Sequence, residues 1–520
     1  MARINTNIPS VLAQRNLRSI QSELQTRFER LSTGLRINRG ADDPAGMIIS
    51  ERLRSNISGV NQGISNSDRA ANVISTTEAS LSEVSDLLNS IKSLIVESAN
   101  TGANSDAERN ANQLQIDSAI ASITRISDTA SFGSLKLLNG SLDYNLSGVN
   151  PNEVVQAKVW NASFISQATY NVKVNVVASA QTGALYFQPP TAAGTILSSS
   201  TLQIAGVRGV QTITVTSNSS LTSVVAAVNN LTSLTGVRAS LINGNAASGM
   251  VFSSTDYGSN AFVSVKRLQG PALADDAFSN NLYKVANNLP APSGAPFAWS
   301  TLIGNGTISV GQRDEGQNVQ ALVNGALATG DGLKIKVNSP NLSMDMQLSA
   351  TFATTVSNTP SNFDITGGGS LFQLGPDVSA SQQASFATQS VAASNLGGVL
   401  VGSTMQFLSS LTTGGSNSID ASLKSKDFTI ASDILERAID EVSILRGRLG
   451  AFQRNVLEPN TRSLNSALEN LTASSSAIRD ADFAAETSAL TRAQILSQSG
   501  TTVLQLANAS SQSVLQLLQG

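Results

Sequence analysis

The sequence predicts an α+β protein. Its two chain ends together form a discontinuous helical coiled-coil or bundle core, and β-rich outer domains are inserted between them. Apolar residues recur at steps of three and four at both ends, which is typical of amphipathic helices. Between about residues 142 and 423 this pattern gives way to period-two alternation, which is typical of strands. The length of 520 residues exceeds one ordinary core, so two to four domains are expected.

Two apolar stripes in the N-terminal region each predict a helix that buries one face. The first comprises Leu17, Ile20, Leu24, Phe28, Leu31 and Leu35. The second follows a heptad pattern and comprises Leu81, Val84, Leu88, Ile91 and Ile95. A weaker third stripe runs from Ile116 to Ile126.

The C-terminal region carries complementary helical stripes. A heptad period is held through Leu435, Ala438, Val442, Leu445, Leu449, Phe452 and Val456. Pro459 predicts a kink or break, because its ring nitrogen cannot donate to the carbonyl of Asn455. The last amphipathic stretch contains Leu490, Leu496, Val503, Leu504, Val514 and Leu518, and no charged residue follows Arg492.

The middle of the chain predicts sheet domains. The segments "NVKVNVV" (171–177) and "QTITVTS" (211–217) alternate as half-buried strands do, and a short helix is expected at 221–231. The segment "LPAPSGAP" (289–296) is typical of a linker. We therefore predict one β-rich domain from 143–200 and 300–423 and a second from 201–299.

The segment "STGLRINRGADDPAGMIISERLR" (32–54) predicts a joint between two helices. Asp43 and Pro44 are a typical helix start, and Gly40 is expected to end the preceding helix in a left-handed cap. In the mirror segment near the C-terminus, Asp480 or Asp482 can cap a new helix.

The alternative is that Asp42 and Asp43 form a paired-carboxylate or metal site. We favour a cap with ion pairs to Arg36, Arg39 or Arg52, because no third ligand type lies nearby.

The composition excludes several function classes. The chain has neither cysteine nor histidine, so hydrolases of the serine–histidine and cysteine–histidine type are excluded. The net charge of −3 gives no reason to expect nucleic acid. We expect no cofactor, no metal and no enzymatic activity. The start lacks the apolar stretch of a cleaved signal peptide, and no run is apolar enough to span a membrane.

Two long motifs carry a family resemblance. "LSTGLRINRGADDPAGMIISERLRSNISG" (31–59) and "LENLTASSSAIRDADFAAETSALTRAQILSQSGTTVLQLAN" (468–508) resemble bacterial flagellin in order, spacing and position. The resemblance covers roughly residues 1–140 and 425–520. Residues 202–241, 316–337 and 363–378 are similar to insertions in larger members of that family.

The resemblance implies a structural subunit that self-assembles into the helical flagellar filament for swimming motility. Segments 1–42 and 480–520 are expected to pair as an inner helical tube. Segments 43–142 and 424–479 are expected to form a surrounding helical layer, with the insertion decorating the surface. The joint residues Arg36, Arg39, Asp42, Asp43, Pro44, Asp480 and Asp482 would connect the two layers.

The family also implies partners and a location. Members leave the cell through the flagellar export apparatus without a cleaved signal and become extracellular. A dedicated export chaperone is expected to bind the C-terminal helix at 485–520, and hook-associated and cap proteins are expected to contact the filament.

Ordering about 40 terminal residues costs more than their own burial returns, so these segments are expected to be disordered until neighbouring copies cover them.

An immune-receptor surface is implied for the helix corresponding to 88–97. Members that alert the vertebrate flagellin receptor present an arginine where this chain has Ser90, whereas Leu94 is retained and Lys92 is nearby. The departure at Ser90 puts recognition by that receptor in doubt.

Two other functions remain open from the sequence. A hook–filament junction protein has related ends, although "TRAQIL" (491–496) and the long middle favour the filament subunit. A surface adhesin or degradative enzyme would use acids of the middle region, for which the candidates are Asp256, Asp275, Asp276, Asp314 and Glu315. The turn-like flanks of these acids favour solvated loops instead.

Overall fold

The computed structural model describes residues 6–162, 164, 169–189, 194–196, 199–269, 278, 281–285, 292, 297–339, 341–356, 359–401 and 404–518, with side chains as far as Ser510. The predicted linker at 289–296 lies outside the described residues except for Pro292, and so do Asp275 and Asp276. The side chains of Val514 and Leu518 also lie outside them.

Long helices occupy both ends of the described chain, as the stripes predict. The helices are α1 (Ile8–Thr33), α2 (Pro44–Ala99), α3 (Asp106–Thr129), α4 (Leu221–Asn229), α5 (Thr232–Thr235), α6 (Trp299–Gly304), α7 (Ala350–Ala353), α8 (Ile419–Ser425), α9 (Thr429–Phe452), α10 (Glu458–Arg479) and α11 (Phe483–Leu518).

The strands all lie between α3 and α8, which confirms the α+β class with a β-rich insertion. They are β1 (Ser131–Phe132), β2 (Leu135–Lys136), β3 (Tyr144–Ser147), β4 (Val154–Ala162), β5 (Tyr170–Ala178), β6 (Ala184–Phe187), β7 (Ser200–Gly206), β8 (Gly209–Val215), β9 (Val237–Leu241), β10 (Met250–Ser254), β11 (Phe262–Gln269), β12 (Leu282–Val285), β13 (Ile308–Val310), β14 (Arg313–Glu315), β15 (Gln320–Val323), β16 (Ala326–Leu327), β17 (Thr329–Asp331), β18 (Lys334–Asn338), β19 (Leu342–Leu348), β20 (Ser361–Gly368), β21 (Ser370–Gln373), β22 (Gln383–Phe386), β23 (Val399–Val401) and β24 (Thr404–Gln406).

The chain divides into two compact units. The terminal unit comprises Met1–Ala71, Phe372–Ala384 and Ala451–Gly520. The middle unit comprises Asn72–Leu371 and Ser385–Gly450. Helices α2 and α9 each contribute to both units.

In the terminal unit, α1 and α11 form an antiparallel pair. Asn7 caps the start of α1 and donates from Nδ2 to the carbonyl of Ala507 at 3.0 Å. Gly500 packs against α1, since a Cβ there would stand 3.2 Å from Leu17 Cδ1.

The region before α10 contains a π-helical turn at Gln453–Leu457. The amide of Glu458 bonds to the carbonyl of Gln453, so the chain passes Pro459 within continuous helix rather than breaking there. The wider turn accommodates a residue that cannot donate to Asn455.

In the middle unit, α2 and α9 lie antiparallel. Lys92 pairs with Glu436 at 3.3 Å, and Glu78 pairs with Arg446 at 3.5 Å. Helix α3 begins at a capping box in which Ser105 and Glu108 bond to each other's amides.

Two β-rich bodies complete the middle unit. In one, the sheets β16-β15-β5-β20-β3 and β17-β18-β19-β4 enclose an apolar core in which valine and alanine are the most frequent residues. In the other, the sheets β13-β12-β6-β10-β9 and β14-β11-β7-β8 enclose a core that includes Phe187, Phe252 and the apolar face of α4.

Strand pairing shows that the second β-rich body includes more of the chain than the predicted range 201–299. Strand β6 pairs with β10 and β12, while β13 pairs with β12 and β14 pairs with β11. The body therefore extends beyond the predicted limits at residues 200 and 300, because these flanking strands complete its sheets.

Candidate functional site

The predicted stripe of α1 lies along its pairing face with α11. Leu17, Ile20, Leu24, Leu31 and Leu35 are half-buried, whereas Phe28 lies at the edge of this face and is 49% exposed. On α11, Leu490 and Leu504 are also half-buried. The antiparallel pair thus brings most of the predicted α1 stripe together with Leu490 and Leu504 of α11.

Other large apolar residues of the two helices are exposed on the side of each helix that is turned away from this pairing, and we name them together the outward face. Its members are Ile8, Val11, Leu12, Ile495, Leu496, Val503 and Leu506, and they are 45–70% exposed. At about 100° per residue, the members on each helix fall within an arc of roughly 100° and lie on the side away from the pairing face.

The outward face corrects the sequence interpretation of α11. The predicted stripe combined Leu490 and Leu504, which lie on the pairing face, with Leu496 and Val503, which lie on the outward face. The adjacent apolar pair Val503–Leu504 is the available signal, because successive helical residues point about 100° apart, and here one member lies on each face.

An ionic clamp holds the pair together near Glu486, which is 7% exposed. Arg27 Nη1 donates to both carboxylate oxygens of Glu486, at 3.0 and 2.8 Å, and Arg30 Nη1 donates to Oε1 at 3.1 Å. Burial raises the pKa of Glu486, but the bonds from Arg27 and Arg30 outweigh it and hold this pKa below its ordinary value. The sequence reasoning did not find this clamp.

The two chain segments that meet at the joint are linked by backbone hydrogen bonds. Leu35 and Asp480 form an antiparallel bridge. The amide of Arg36 donates to the carbonyl of Arg479 at 2.7 Å, and the amide of Ala481 donates to the carbonyl of Gly34 at 2.9 Å. The segments that leave α1 and enter α11 are therefore held side by side.

The aspartates of the joint bind backbone amides. Asp43 Oδ1 accepts from Gly46 at 2.9 Å where α2 begins at Pro44, and Asp482 Oδ1 accepts from Ala484 and Ala485 at the start of α11. Asp42 Oδ2 accepts from the amides of Arg39 and Asn38, and these bonds lower the pKa of Asp42. Asp480 accepts from Ser476 Oγ at 2.5 Å.

Two details of the predicted joint are wrong. Helix α1 ends at Gly34, which has φ +72° and donates to the carbonyl of Arg30, rather than at Gly40. Among the described residues, Asp42 and Asp43 form no ion pair with Arg36, Arg39 or Arg52. Instead Arg39 pairs with Glu29 at 3.0 Å, and Arg36 donates to the carbonyl of Ile478 at 2.7 Å.

The side chains predicted for the helical core are mostly buried. In the middle unit these are Leu81, Val84, Leu88, Ile91, Ile95, Leu435, Val442, Leu445 and Leu449. In the terminal unit, Phe452 and Val456 are half-buried. Phe452 contacts Phe372 with ring centroids 6.1 Å apart.

The residues proposed for receptor recognition differ in accessibility. Ser90 is exposed and Lys92 is engaged with Glu436, but Leu94 is only 9% exposed. Leu94 therefore offers little surface in this chain.

The candidate acids of the middle also differ from one another. Glu315 pairs with Arg313 at 3.1 Å, and Asp256 accepts from Thr255 Oγ1 at 3.4 Å. Asp314 does not lie in a solvated loop as expected. It is 9% exposed in β14, accepts from the amide of Ala184 at 2.8 Å, and has a pKa raised by burial.

Within the residues that the structure describes, no group of three or more histidine, cysteine, aspartate or glutamate side chains could hold a metal ion. Nor does any helix in the described part of the chain have the length and hydropathy that crossing a membrane requires.

Comparison with known families matches three regions of the chain. The bacterial flagellin N-terminal helical region matches residues 4–143, and the bacterial flagellin C-terminal helical region matches residues 432–518. The flagellin hook IN motif matches residues 201–256. These matches confirm the resemblance at both ends of the chain.

Curated relatives align along almost the whole chain. Flagellin of Escherichia coli (strain K12) is 30% identical over 534 residues, covering 99% of each chain. B-type flagellin of Pseudomonas aeruginosa and flagellin of Salmonella typhimurium are each 29% identical over 531 residues, also covering 99% of each chain. Among solved structures, Xanthomonas campestris FlgL overlaps 82% of this chain and 99% of its own at 11% identity, but the TM-score of 0.27 carries no argument.

The end-to-end relatives favour a filament subunit over the hook–filament junction alternative. With two helical terminal regions, a β-rich insertion and a 30% identical flagellin aligned over its full length, this chain belongs to the bacterial flagellin family, whose members are structural subunits of the flagellar filament.

Proposed function

We propose that copies of this chain polymerise into the flagellar filament by burying the outward face of the α1–α11 pair against neighbouring copies. The role is structural and serves swimming motility, and we propose no enzymatic activity. In this arrangement 1–42 and 480–520 form the inner helical tube, and the β-rich insertion decorates the filament surface.

The observation that carries this proposal is the exposure of seven large apolar side chains on one helix pair. Exposed apolar patches of this kind mark interaction surfaces in soluble proteins. The tail beyond Arg492 has no charged residue, so packing it among copies leaves no charge without a partner.

The energies favour several neighbours over one. Burying the exposed half of seven such side chains contributes about 5–10 kcal/mol, at roughly 0.8–1.5 kcal/mol each. Immobilising one copy against another costs about 4–15 kcal/mol. Burial of this face therefore gives little net stability by itself, and further contacts between neighbouring copies are needed to hold a copy in the filament.

Repetition of one contact between identical copies determines the form of the polymer. A head-to-tail contact between identical copies, repeated with a rotation that does not close, generates a helical filament. The joint at 34–43 and 479–482 is proposed to connect the inner tube to the surrounding layer of 43–142 and 424–479.

The same face supports a proposal about transport. We propose that the chain passes through the flagellar export apparatus to reach the extracellular filament, and that an export chaperone covers 485–520 beforehand. A chaperone on this helix would keep Leu496, Val503 and Leu506 from associating too early. Hook-associated and cap proteins are proposed to contact the two ends of the filament.

The double variant Val503→Ser/Leu506→Ser tests the assembly surface. It should raise the critical concentration for growth on filament seeds at least tenfold, because about 1.4 kcal/mol is tenfold in an equilibrium constant. Sedimentation of polymer from monomer measures this concentration.

The control is Leu268→Ser, which removes a 54% exposed leucine from β11 of the insertion. It should polymerise as the parent chain does. Unchanged growth of the double variant would contradict the proposal.

A further inference from the structure

The middle unit contains a cleft of about 800 Å³ whose lining includes both acidic and basic side chains. Its volume lies in the range of roughly 300–1,000 Å³ that small-molecule sites occupy. Neither the filament contact nor the joint uses this cleft.

Strand register places alternate side chains of one sheet on the floor of the cleft. Ser253 on β10 pairs with Arg238 on β9 and with Ala184 on β6. In the next row toward the strand's start, Val251 pairs with Ser240 and with Tyr186. The floor is thus a grid of hydroxyl groups, a guanidinium group and one aromatic ring.

Residues outside the strands of this sheet also line the cleft. Gln181 and Gln317 form an isolated antiparallel bridge, and both residues line the cleft. Tyr257 adds a second aromatic ring.

A buried carboxylate lies beside this floor. Asp314 is 9% exposed and lines the cleft, and its Oδ2 accepts from the amide of Ala184 at 2.8 Å. A carboxylate offers about four acceptor positions, so acceptor capacity is left for a ligand. Lys284 is the nearby cation that opposes the effect of burial on Asp314.

The cations of the cleft are not equivalent. Arg313 is engaged with Glu315 at 3.1 Å and lies over the ring of Phe262. Arg238 donates from Nε to Ser253 Oγ at 3.3 Å and belongs to none of the ion pairs among the described residues. Its planar guanidinium can therefore bind a ligand carboxylate through two hydrogen bonds.

We propose that this cleft binds an acidic saccharide through a uronic acid residue. Arg238 pairs with the sugar carboxylate, and Asp314 accepts hydrogen bonds from sugar hydroxyls. Ser240, Gln181 and Gln317 supply groups that both donate and accept, as sugar hydroxyls do. Tyr257, which lines the cleft and is half-buried, presents an aromatic surface for the C–H face of a pyranose ring.

An apolar ligand fits this cleft poorly. It would displace water from Asp314 and Arg238 and leave both charges without compensating partners. A saccharide with hydroxyls and a carboxylate satisfies both groups at once.

Calorimetric titration of the full-length monomer with trigalacturonic acid tests the proposal. One site per chain is expected. Arg238→Gln should weaken binding at least tenfold, whereas Arg125→Gln, which changes an exposed arginine of α3 outside the cleft, should leave binding unchanged.

Matched saccharides separate charge from shape. A neutral galactose trisaccharide should bind the parent chain more weakly and should not respond to Arg238→Gln. Tighter binding of the trimer than of monomeric galacturonic acid would assign the site to a polysaccharide residue, and equal binding would assign it to a free sugar acid.

Asp314→Asn provides a second variant, since the amide oxygen can still accept from Ala184. It should weaken binding of both trisaccharides at least tenfold, with circular dichroism confirming that the variant is folded. Absence of binding to the parent chain, or binding unchanged in both variants, overturns the proposal. Filament growth by these variants should be normal, so failure here is distinct from failure of the assembly surface.

Discussion

Arg27 Nη1 donates to both carboxylate oxygens of Glu486, at 3.0 and 2.8 Å, and joins residues that are 459 positions apart in the chain. Arg30 binds the same carboxylate from the next turn of α1. Glu486 lies in the first turn of α11, where a negative charge also complements the helix dipole. One buried carboxylate therefore contributes to the antiparallel register of the two chain ends.

Removing the charge of Glu486 should weaken the helix pair. Glu486→Gln leaves Arg27 and Arg30 without their shared anion, and we expect unfolding to become easier by about 2 kcal/mol. Because the terminal segments are expected to become ordered in the filament, urea unfolding of assembled filaments, followed by far-ultraviolet circular dichroism, measures the change. The control Glu23→Gln removes an exposed i,i+4 partner of Arg27 and should cost less than about 0.5 kcal/mol. Equal effects of the two substitutions would argue against the clamp.

Acid should weaken the pair through the same carboxylate. Because the folded pKa of Glu486 is below its ordinary value of 4.5, its contribution is complete above pH 4.5 and declines as pH falls through the folded pKa. Unfolding midpoints measured from pH 7 to pH 3 should fall more steeply for the parent chain than for Glu486→Gln. Parallel curves would contradict this assignment.

The end of α1 depends on Gly34. Its φ of +72° is unfavourable for other residues, although a Cβ there would meet only Phe483, at 3.9 Å, so the strain of Gly34→Ala is in the backbone. We expect a loss of about 1 kcal/mol. Gly40→Ala is the control, because nothing lies within 4 Å of a Cβ there and φ is not left-handed. Gly40→Ala should be neutral or slightly stabilising. If it destabilised the chain more than Gly34→Ala does, Gly40 rather than Gly34 would be the cap of α1.

Helical periodicity predicts much of the terminal unit, but not which face each residue occupies. Steps of three and four identify α1 and α11, yet Leu496 and Val503 lie on a different face from Leu490 and Leu504. In a helix that is apolar on two sides, periodicity alone does not separate the face that pairs within the chain from the face left outward. The clamp at Glu486 has no periodic signal, because its partners meet only through the fold.

The insertion shows a similar division between local and long-range information. Alternation identifies β5 and β8, but the sheet containing β6 depends on partners more than 60 residues along the chain. Asp314 has turn-like neighbours in sequence, although β14 pairs with β11 and places it in a buried position. At Pro459 the sequence predicts a kink or break from the missing donor, but a π-helical turn accommodates this residue.

Thiol labelling of single-cysteine variants tests the assembly surface most directly, since the natural chain has no cysteine. Leu506→Cys and Leu12→Cys should react rapidly in the monomer and at least tenfold more slowly in filaments, whereas Leu268→Cys should react at similar rates in both. Equal labelling of residues 12 and 506 in monomer and filament would contradict the account.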